Sequence, residues 1–326
     1  MSIDAAGLAE KVLKGDRRAL ARAITLVESD RPDHRRVAEA LLDRLLPASG
    51  KSIRLGISGP PGVGKSTFIE AFGLQVIDQG RHLAVLAVDP SSRVSGGSIL
   101  GDKTRMADLS RRAEAFIRPS PAGLALGGVG RRTREALLVC EAAGFDLIVI
   151  ETVGVGQSET TVAEMVDMFL LLLLPSGGDD LQGIKRGIME LADLVIVNKA
   201  DGDLLAAAQR TAADYANALH LMHPLHHAWK TEVLQCSALH NRGIGEIWDK
   251  VVAYDRQMAA SGELAAKRRD QARAWLWREL SGNLLEALKA HPGVAEQLAA
   301  LEARVIAGKT TPSAAARDLL SRFFKD

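Results

Sequence analysis

Cysteine is scarce: the 326-residue chain has two, Cys140 and Cys236. Both lie in apolar segments without metal-ligand spacing, so they read as buried free thiols of a reducing compartment. Net charge is nearly absent too. Lys plus Arg number 41 against 40 for Asp plus Glu, a formal +1, which leaves no global field to favour nucleic acid or a membrane surface. Long hydrophobic runs are missing as well. The most apolar stretch, Met168 to Pro175, is far short of the ~20 residues a spanning helix needs. A strand covered on both faces explains it better. The N-terminus offers no apolar secretory core, because Met1 to Lys14 carries Asp4, Glu10, Lys11 and Lys14. No internal repeat or low-complexity tract occurs. With 47% hydrophobic and 25% charged residues, these absences leave an ordinary globular protein. A cytoplasmic location is expected, or an organelle matrix after processing.

Against that plain background one stretch stands out. Gly59-Pro60-Pro61-Gly62-Val63-Gly64-Lys65-Ser66 matches the P-loop pattern G-x-x-x-x-G-K-[S/T] without a mismatch. An apolar run, Ile53 to Ser58, supplies the preceding strand, and Ser66 to Ile77 supplies the following helix. Gly59, Pro61, Gly62, Val63 and Gly64 let backbone amides close around a phosphate chain at the positive end of that helix. Thr67 completes the cradle. Lys65 is placed to reach the β- and γ-phosphates, and the Ser66 hydroxyl to ligate Mg²⁺.

Alternation of short apolar runs with helical segments continues from about residue 51 to 258. Expected strands are Ile53–Ser58, Leu83–Val88, Ala115–Arg118, Leu147–Glu151, Met168–Leu174, Leu194–Asn198 and Val233–Ser237. Continuous Val/Ile/Leu runs point to an α/β fold: a mostly parallel sheet with helices on both faces. Ligands of such sheets collect at the carboxyl ends of the strands. Residues 1–50 read as a helical extension, with Asp16 capping one helix and another starting near Pro32 with Val37, Ala40, Leu41 and Leu45 inward. Residues 259–326 read as a helical arm. There Leu276, Leu280, Leu284 and Leu288 recur every four residues beside Trp275 and Trp277, and Thr311-Pro312 opens a last helix. So much apolar surface requires a cover, either the chain's own core or a second subunit.

The remaining motifs fall at strand ends. Asn198-Lys199-Ala200-Asp201 follows its strand about 130 residues after the P-loop. In this place N-K-x-D reads guanine: the Asp201 carboxylate accepts N1–H and the exocyclic N2–H₂, a donor pair adenine lacks. An unpaired buried carboxylate makes ATP the costlier ligand. Ser237, Ala238 and Leu239 suit the loop backing the base. Asp89, Asp102 and Glu151 are the candidate Mg²⁺ carboxylates, and Asp102 or Glu151 could also orient water. Gly154 could donate its N–H to the γ-phosphate. Arg93 and Arg105 are the arginines that could move in.

Together the P-loop, Val88-Asp89-Pro90-Ser91-Ser92, the loop Gly96 to Met106, Glu151 to Glu159 and Asn198 to Asp201 resemble the MeaB/ArgK/methylmalonic aciduria type A family. That family belongs to the signal-recognition-particle-like branch of P-loop GTPases, and the resemblance runs from about residue 15 to 325. It implies a GTPase with bound GTP or GDP and Mg²⁺. It further implies a complex with adenosylcobalamin-dependent methylmalonyl-CoA mutase, gating of cobalamin loading, and protection of the mutase from inactivation. Homodimers through the C-terminal helices follow from the same resemblance. So does a switch role for Pro175 to Gly187, with Asp179, Gln182 and Lys185 as contact makers; by sequence alone that segment is a surface loop.

Competing readings are a nickel-inserting GTPase chaperone, an ATP-dependent small-molecule kinase and an adaptor with a dead nucleotide site. The Cys/His motifs of nickel insertion are missing, no acceptor signature is visible, and Lys65 and Ser66 are intact. His220, His223, His226 and His227 invite a metal, yet Pro224 breaks any helix there. A loop before the last strand is the simpler expectation.

Overall fold

The computed structural model describes residues 4–29, 31–89, 106–121, 128–152, 158–175, 186–222 and 224–324. Packing divides the chain into two compact units, Met1–Gln271 and Ala272–Asp326. The first is built on seven strands: β1 (Ile53–Ser58), β2 (Leu83–Asp89), β3 (Ala115–Pro121), β4 (Leu147–Thr152), β5 (Met168–Leu173), β6 (Leu194–Val197) and β7 (Glu232–Gln235). They lie in the order β3-β2-β4-β1-β5-β6-β7, and every neighbouring pair is parallel. The expected α/β sheet is thus present, and each apolar run forms its strand; β1 has the expected bounds, β3 runs three residues further, to Pro121, and the other ends shift by at most two. β4, β5 and β6 are buried along their whole length, which explains why they are continuous apolar runs rather than alternating ones.

Helices α1 (Ala5–Leu13), α2 (Arg17–Val27) and α3 (Pro32–Leu45) pack together and against α5 (Gly128–Ala142). Asp16 caps α2 by accepting the Ala19 amide at 2.8 Å. Leu41 and Leu45 point inward as expected, but Ala38 is the buried alanine of α3 and Ala40 is exposed. On one sheet face, α4 (Lys65–Asp78) and α9 (Ile244–Ala260) meet through Phe72 and Trp248, whose rings lie 5.9 Å apart. Around these rings gathers the main core, with Leu55, Ile57, Val149 and Leu170 from the strands. The other face carries α6 (Ser158–Ala163), the short α7 (Arg186–Met189) and α8 (Leu205–His220). Gly56 lets α6 approach the sheet: a Cβ there would sit 3.0 Å from side-chain carbons of Val162 and Val166.

Polar groups hold the amino ends of the strands. Arg54 and Glu141 form a buried pair at 2.9 and 3.0 Å, and Glu141 also accepts the Gly50 amide at 2.8 Å. Asp167 accepts the Arg54 amide at 2.8 Å and the Arg268 guanidinium at 2.8 and 2.6 Å. Arg268 lies in the opening turns of α10 (Glu263–Ala290), so those turns are tied to the sheet. Removing one partner of a buried pair strands the other charge. Arg54→Met is expected to cost about 3–5 kcal/mol in denaturant unfolding. Adding Glu141→Leu should recover much of that loss.

The histidine-rich segment is a connection into β7. His226 places Nε2 at 2.9 Å from Asp193 Oδ1 and 3.4 Å from the Tyr254 hydroxyl, so carboxylate partners absent from its sequence neighbourhood reach it through the fold. Among the described residues no group of three metal-ligating side chains occurs. His223 lies outside them.

The second unit comprises the rest of α10, α11 (Pro292–Ile306) and α12 (Pro312–Phe323). Thr311 caps α12 by accepting the Ala314 amide. Val294, Leu301 and Ala315 are buried, whereas Leu276, Trp277, Leu280 and Leu284 are 52–67% exposed. Among the described residues no helix is long and apolar enough to cross a membrane.

Candidate nucleotide site

The P-loop leaves β1 at the switch point of the sheet, between β4 and β5, where a crevice must open. Two glycines are required for its shape. A Cβ on Gly59 would meet the Leu172 carbonyl oxygen at 2.5 Å. Gly64 caps α4 at φ 91°, in the left-handed region that side chains disfavour. Val63 is buried, while Pro61, Gly62 and Thr67 face outward along the rim.

Lys65 folds back over the loop: its Nζ donates to the carbonyl oxygens of Gly59 at 2.8 Å and Pro60 at 3.3 Å. Burial pushes its pKa below the ordinary lysine value, opposed by the charges of Glu151 and Glu159. Glu151, at the end of β4, is 7% exposed. Its Oε1 lies 3.5 Å from the Ser66 hydroxyl. A hydroxyl and a carboxylate converging beside the phosphate loop are the oxygen donors that Mg²⁺ prefers.

On the other flank, Asn198 joins two loops. Its Nδ2 donates to the Val63 carbonyl at 2.9 Å, and its Oδ1 accepts the Ala238 amide at 3.1 Å and the Cys236 thiol at 3.4 Å. Burial pushes the Cys236 thiol up to about 12, so it stays a neutral donor. Lys199 adopts φ 58°, and its Nζ reaches the Gly62 carbonyl at 2.7 Å. Ser237 donates to the Asp201 carboxylate, orienting it from behind. Ala238 is buried and Leu239 is 75% exposed, leaving an apolar side chain free at the rim.

The structure therefore brings together Gly59, Pro61, Gly62, Val63, Gly64, Lys65, Ser66, Thr67 and Glu151 on one side. Asn198, Lys199, Asp201, Ser237, Ala238 and Leu239 are gathered on the other. Asp89 ends β2, but its side chain lies outside the described residues, as do Asp102, Gly154, Asp179, Gln182, Lys185, Arg93 and Arg105. Two features were missed in the sequence. Cys236 counts as a hydrogen-bond donor to Asn198, and Glu159, 3% exposed, contributes charge at Lys65. The signal for Glu159 was a lone acid opening a helix right after a Gly-rich loop.

The chain resembles known proteins over most of its length. The family profile described as methylmalonyl-CoA mutase-associated GTPase MeaB matches residues 20–293. A putative GTPase of Caulobacter vibrioides is 55% identical, covering 99% of this chain and 98% of the relative. The mitochondrial methylmalonic aciduria type A homolog of Mus musculus is 53% identical, with 96% and 78% covered. GTPase ArgK of Escherichia coli is 50% identical, with 89% and 88% covered. Among solved structures, a crystal structure titled LAO/AO transport system kinase superposes with a TM-score of 0.78 at 40% identity, covering 99% of this chain and 98% of that one. The family profile and these relatives place this chain in the methylmalonyl-CoA mutase-associated GTPase MeaB family, as an enzyme that binds guanine nucleotide and hydrolyses GTP.

Proposed function

We propose that this GTPase serves an adenosylcobalamin-dependent methylmalonyl-CoA mutase, gating cobalamin loading and protecting the mutase from inactivation. The family match across residues 20–293 carries this reading, and the name of the mouse relative agrees with it. In the proposed cycle, Lys65 swings from the Gly59 and Pro60 carbonyls to the β- and γ-phosphates, while the P-loop amides hold the chain of phosphates. Ser66 and Glu151 fit Mg²⁺, with Asp89 and Asp102 as further carboxylates; the ion would neutralise charge developing on the phosphate oxygens. Asp102 orients the attacking water, and Gly154 senses the γ-phosphate. Asp201 reads guanine against Ser237, Ala238 and Leu239. Asp179, Gln182 and Lys185 report the nucleotide state to the mutase.

Co-elution of the purified protein with the mutase tests this, in GDP and then in a GTP analogue. Binding that differs between the two nucleotides is expected; absence of a complex in both would end the mutase reading while leaving the GTPase intact.

Residues 259–326 are proposed to form a homodimer arm, supported by the exposed Leu276, Trp277, Leu280 and Leu284. An apolar stripe of this kind calls for a partner surface. Trp277→Asp combined with Leu284→Asp should give a monomer by sedimentation, with the guanine-nucleotide affinity of the first unit kept within about twofold.

A further inference from the structure

Ser58 closes β1 and Thr152 closes β4, both essentially buried at 1% and 0% exposure. Between them runs a hydrogen bond of 2.8 Å from Thr152 Oγ1 to Ser58 Oγ. The register pairs Ile57 with Glu151, so the next step along both strands sets Ser58 beside Thr152. Side chains alternate across a sheet. Leu55, Ile57 and Val149 belong to the core beneath α4, which puts Glu151 on that side, towards Ser66. Ser58 and Thr152 therefore occupy the opposite face, the one α6 approaches at Gly56. One of the pair precedes Gly59 of the phosphate loop, and the other follows Glu151.

We propose that the Ser58–Thr152 bridge is a positioning device for the metal-facing carboxylate. It fixes the carboxyl end of β4 against the root of the phosphate loop, and so sets the reach of Glu151 to Ser66, 3.5 Å in this structure. The ladder between β1 and β4 ends at Ile57 and Glu151. Ser58 and Thr152 each pair on their other side, with Leu171 and Val88, and the bridge ties the two strands to each other one step beyond their shared ladder. A hydroxyl bridge this deeply buried cannot exchange its partner for water without cost. Hydroxyls in that position contribute nothing to apolar packing that valine or alanine would not supply. The bridge is a constraint on spacing. This inference rests on the reading of Ser66 and Glu151 as the Mg²⁺ ligands.

The test compares Thr152→Val, Ser58→Ala, their double variant and Thr152→Ser in the full-length protein. Three quantities are measured: GDP affinity without Mg²⁺, the Mg²⁺ concentration that half-saturates the tightening of GDP binding, and kcat for GTP. For Thr152→Val, Mg²⁺-free GDP affinity is expected within about twofold of the parent. Half-saturation by Mg²⁺ should rise about tenfold and kcat fall about tenfold, the low end of what losing outer support of a metal site costs. Thr152→Ser should restore both, and the double variant should be no worse than Thr152→Val, since the two residues share one bond. Unchanged Mg²⁺ half-saturation and kcat in Thr152→Val, with only the melting temperature lowered, would overturn the proposal. If GDP binding by the parent protein does not respond to Mg²⁺ at all, the metal reading itself fails, a different and separable result.

Discussion

Lys65→Ala should remove GTP turnover almost completely, with kcat/KM falling at least about 10³-fold. Phosphoryl transfer asks the protein for placement and charge, and little else. A preorganised donor aimed at developing negative charge contributes about 10²–10³ in rate by itself, and Lys65 adds ground-state grip. Lys65→Arg should not rescue, because the wider guanidinium cannot take the place of a point charge packed against the Gly59 and Pro60 carbonyls. The same lysine gives a pH signature. Burial lowers its pKa in the free protein, whereas a bound triphosphate favours the charged form and raises it. Nucleotide affinity is then full below the free-protein pKa. It declines as pH rises from that value towards the bound-state pKa. Titrating affinity towards alkaline pH should show the decline in the parent protein and a flatter profile in Lys65→Ala.

The second large effect is one of selectivity. Asp201→Ala should weaken GTP binding about 10³-fold and leave ATP binding nearly as it was. A site built around a buried hydrogen-bonding group rejects the analogue that cannot satisfy it by about 10⁴–10⁵. Deleting that group collapses the preference to about tenfold. Competition of GTP, ITP and ATP against a fluorescent guanine nucleotide reads this directly, since inosine lacks the exocyclic amine. In the parent, ITP should fall between the other two; in Asp201→Ala the three should converge. Ser237→Ala should act in the same direction but more weakly, because it removes only the donor that orients the carboxylate.

Much of this architecture was legible before any coordinates. Continuous apolar runs such as Leu147 to Ile150 and Met168 to Leu173 read best as strands covered on both faces, and each one is buried throughout. Helix starts announced themselves through Asp16, Pro32 and Thr311. The P-loop and N-K-x-D motifs announced the two loops that the fold sets beside each other through Asn198. What stayed hidden was contact across long sequence distance. Nothing in Asp167 or Arg268 suggests that they meet, nor in His226 and Asp193. Polar pairs formed at strand ends leave no period to detect. The division of labour within α3 also escaped, since Ala38 and Ala40 are alike in composition and only the helix phase separates them. The positive φ of Lys199 was invisible for a different reason: lysine has no preference for that region, and its fit depends on the Gly62 carbonyl it meets.

Asn198 has a consequence for anyone who wishes to re-engineer this enzyme. Its amide nitrogen holds Val63 of the P-loop while its oxygen holds Ala238 of the loop after β7. A library aimed at an unnatural nucleotide should therefore leave position 198 alone and vary Asp201, Ser237 and Leu239 instead. Changes at 198 would couple altered base preference to a slackened grip on every triphosphate, and such clones would be discarded as inactive before their new preference was noticed.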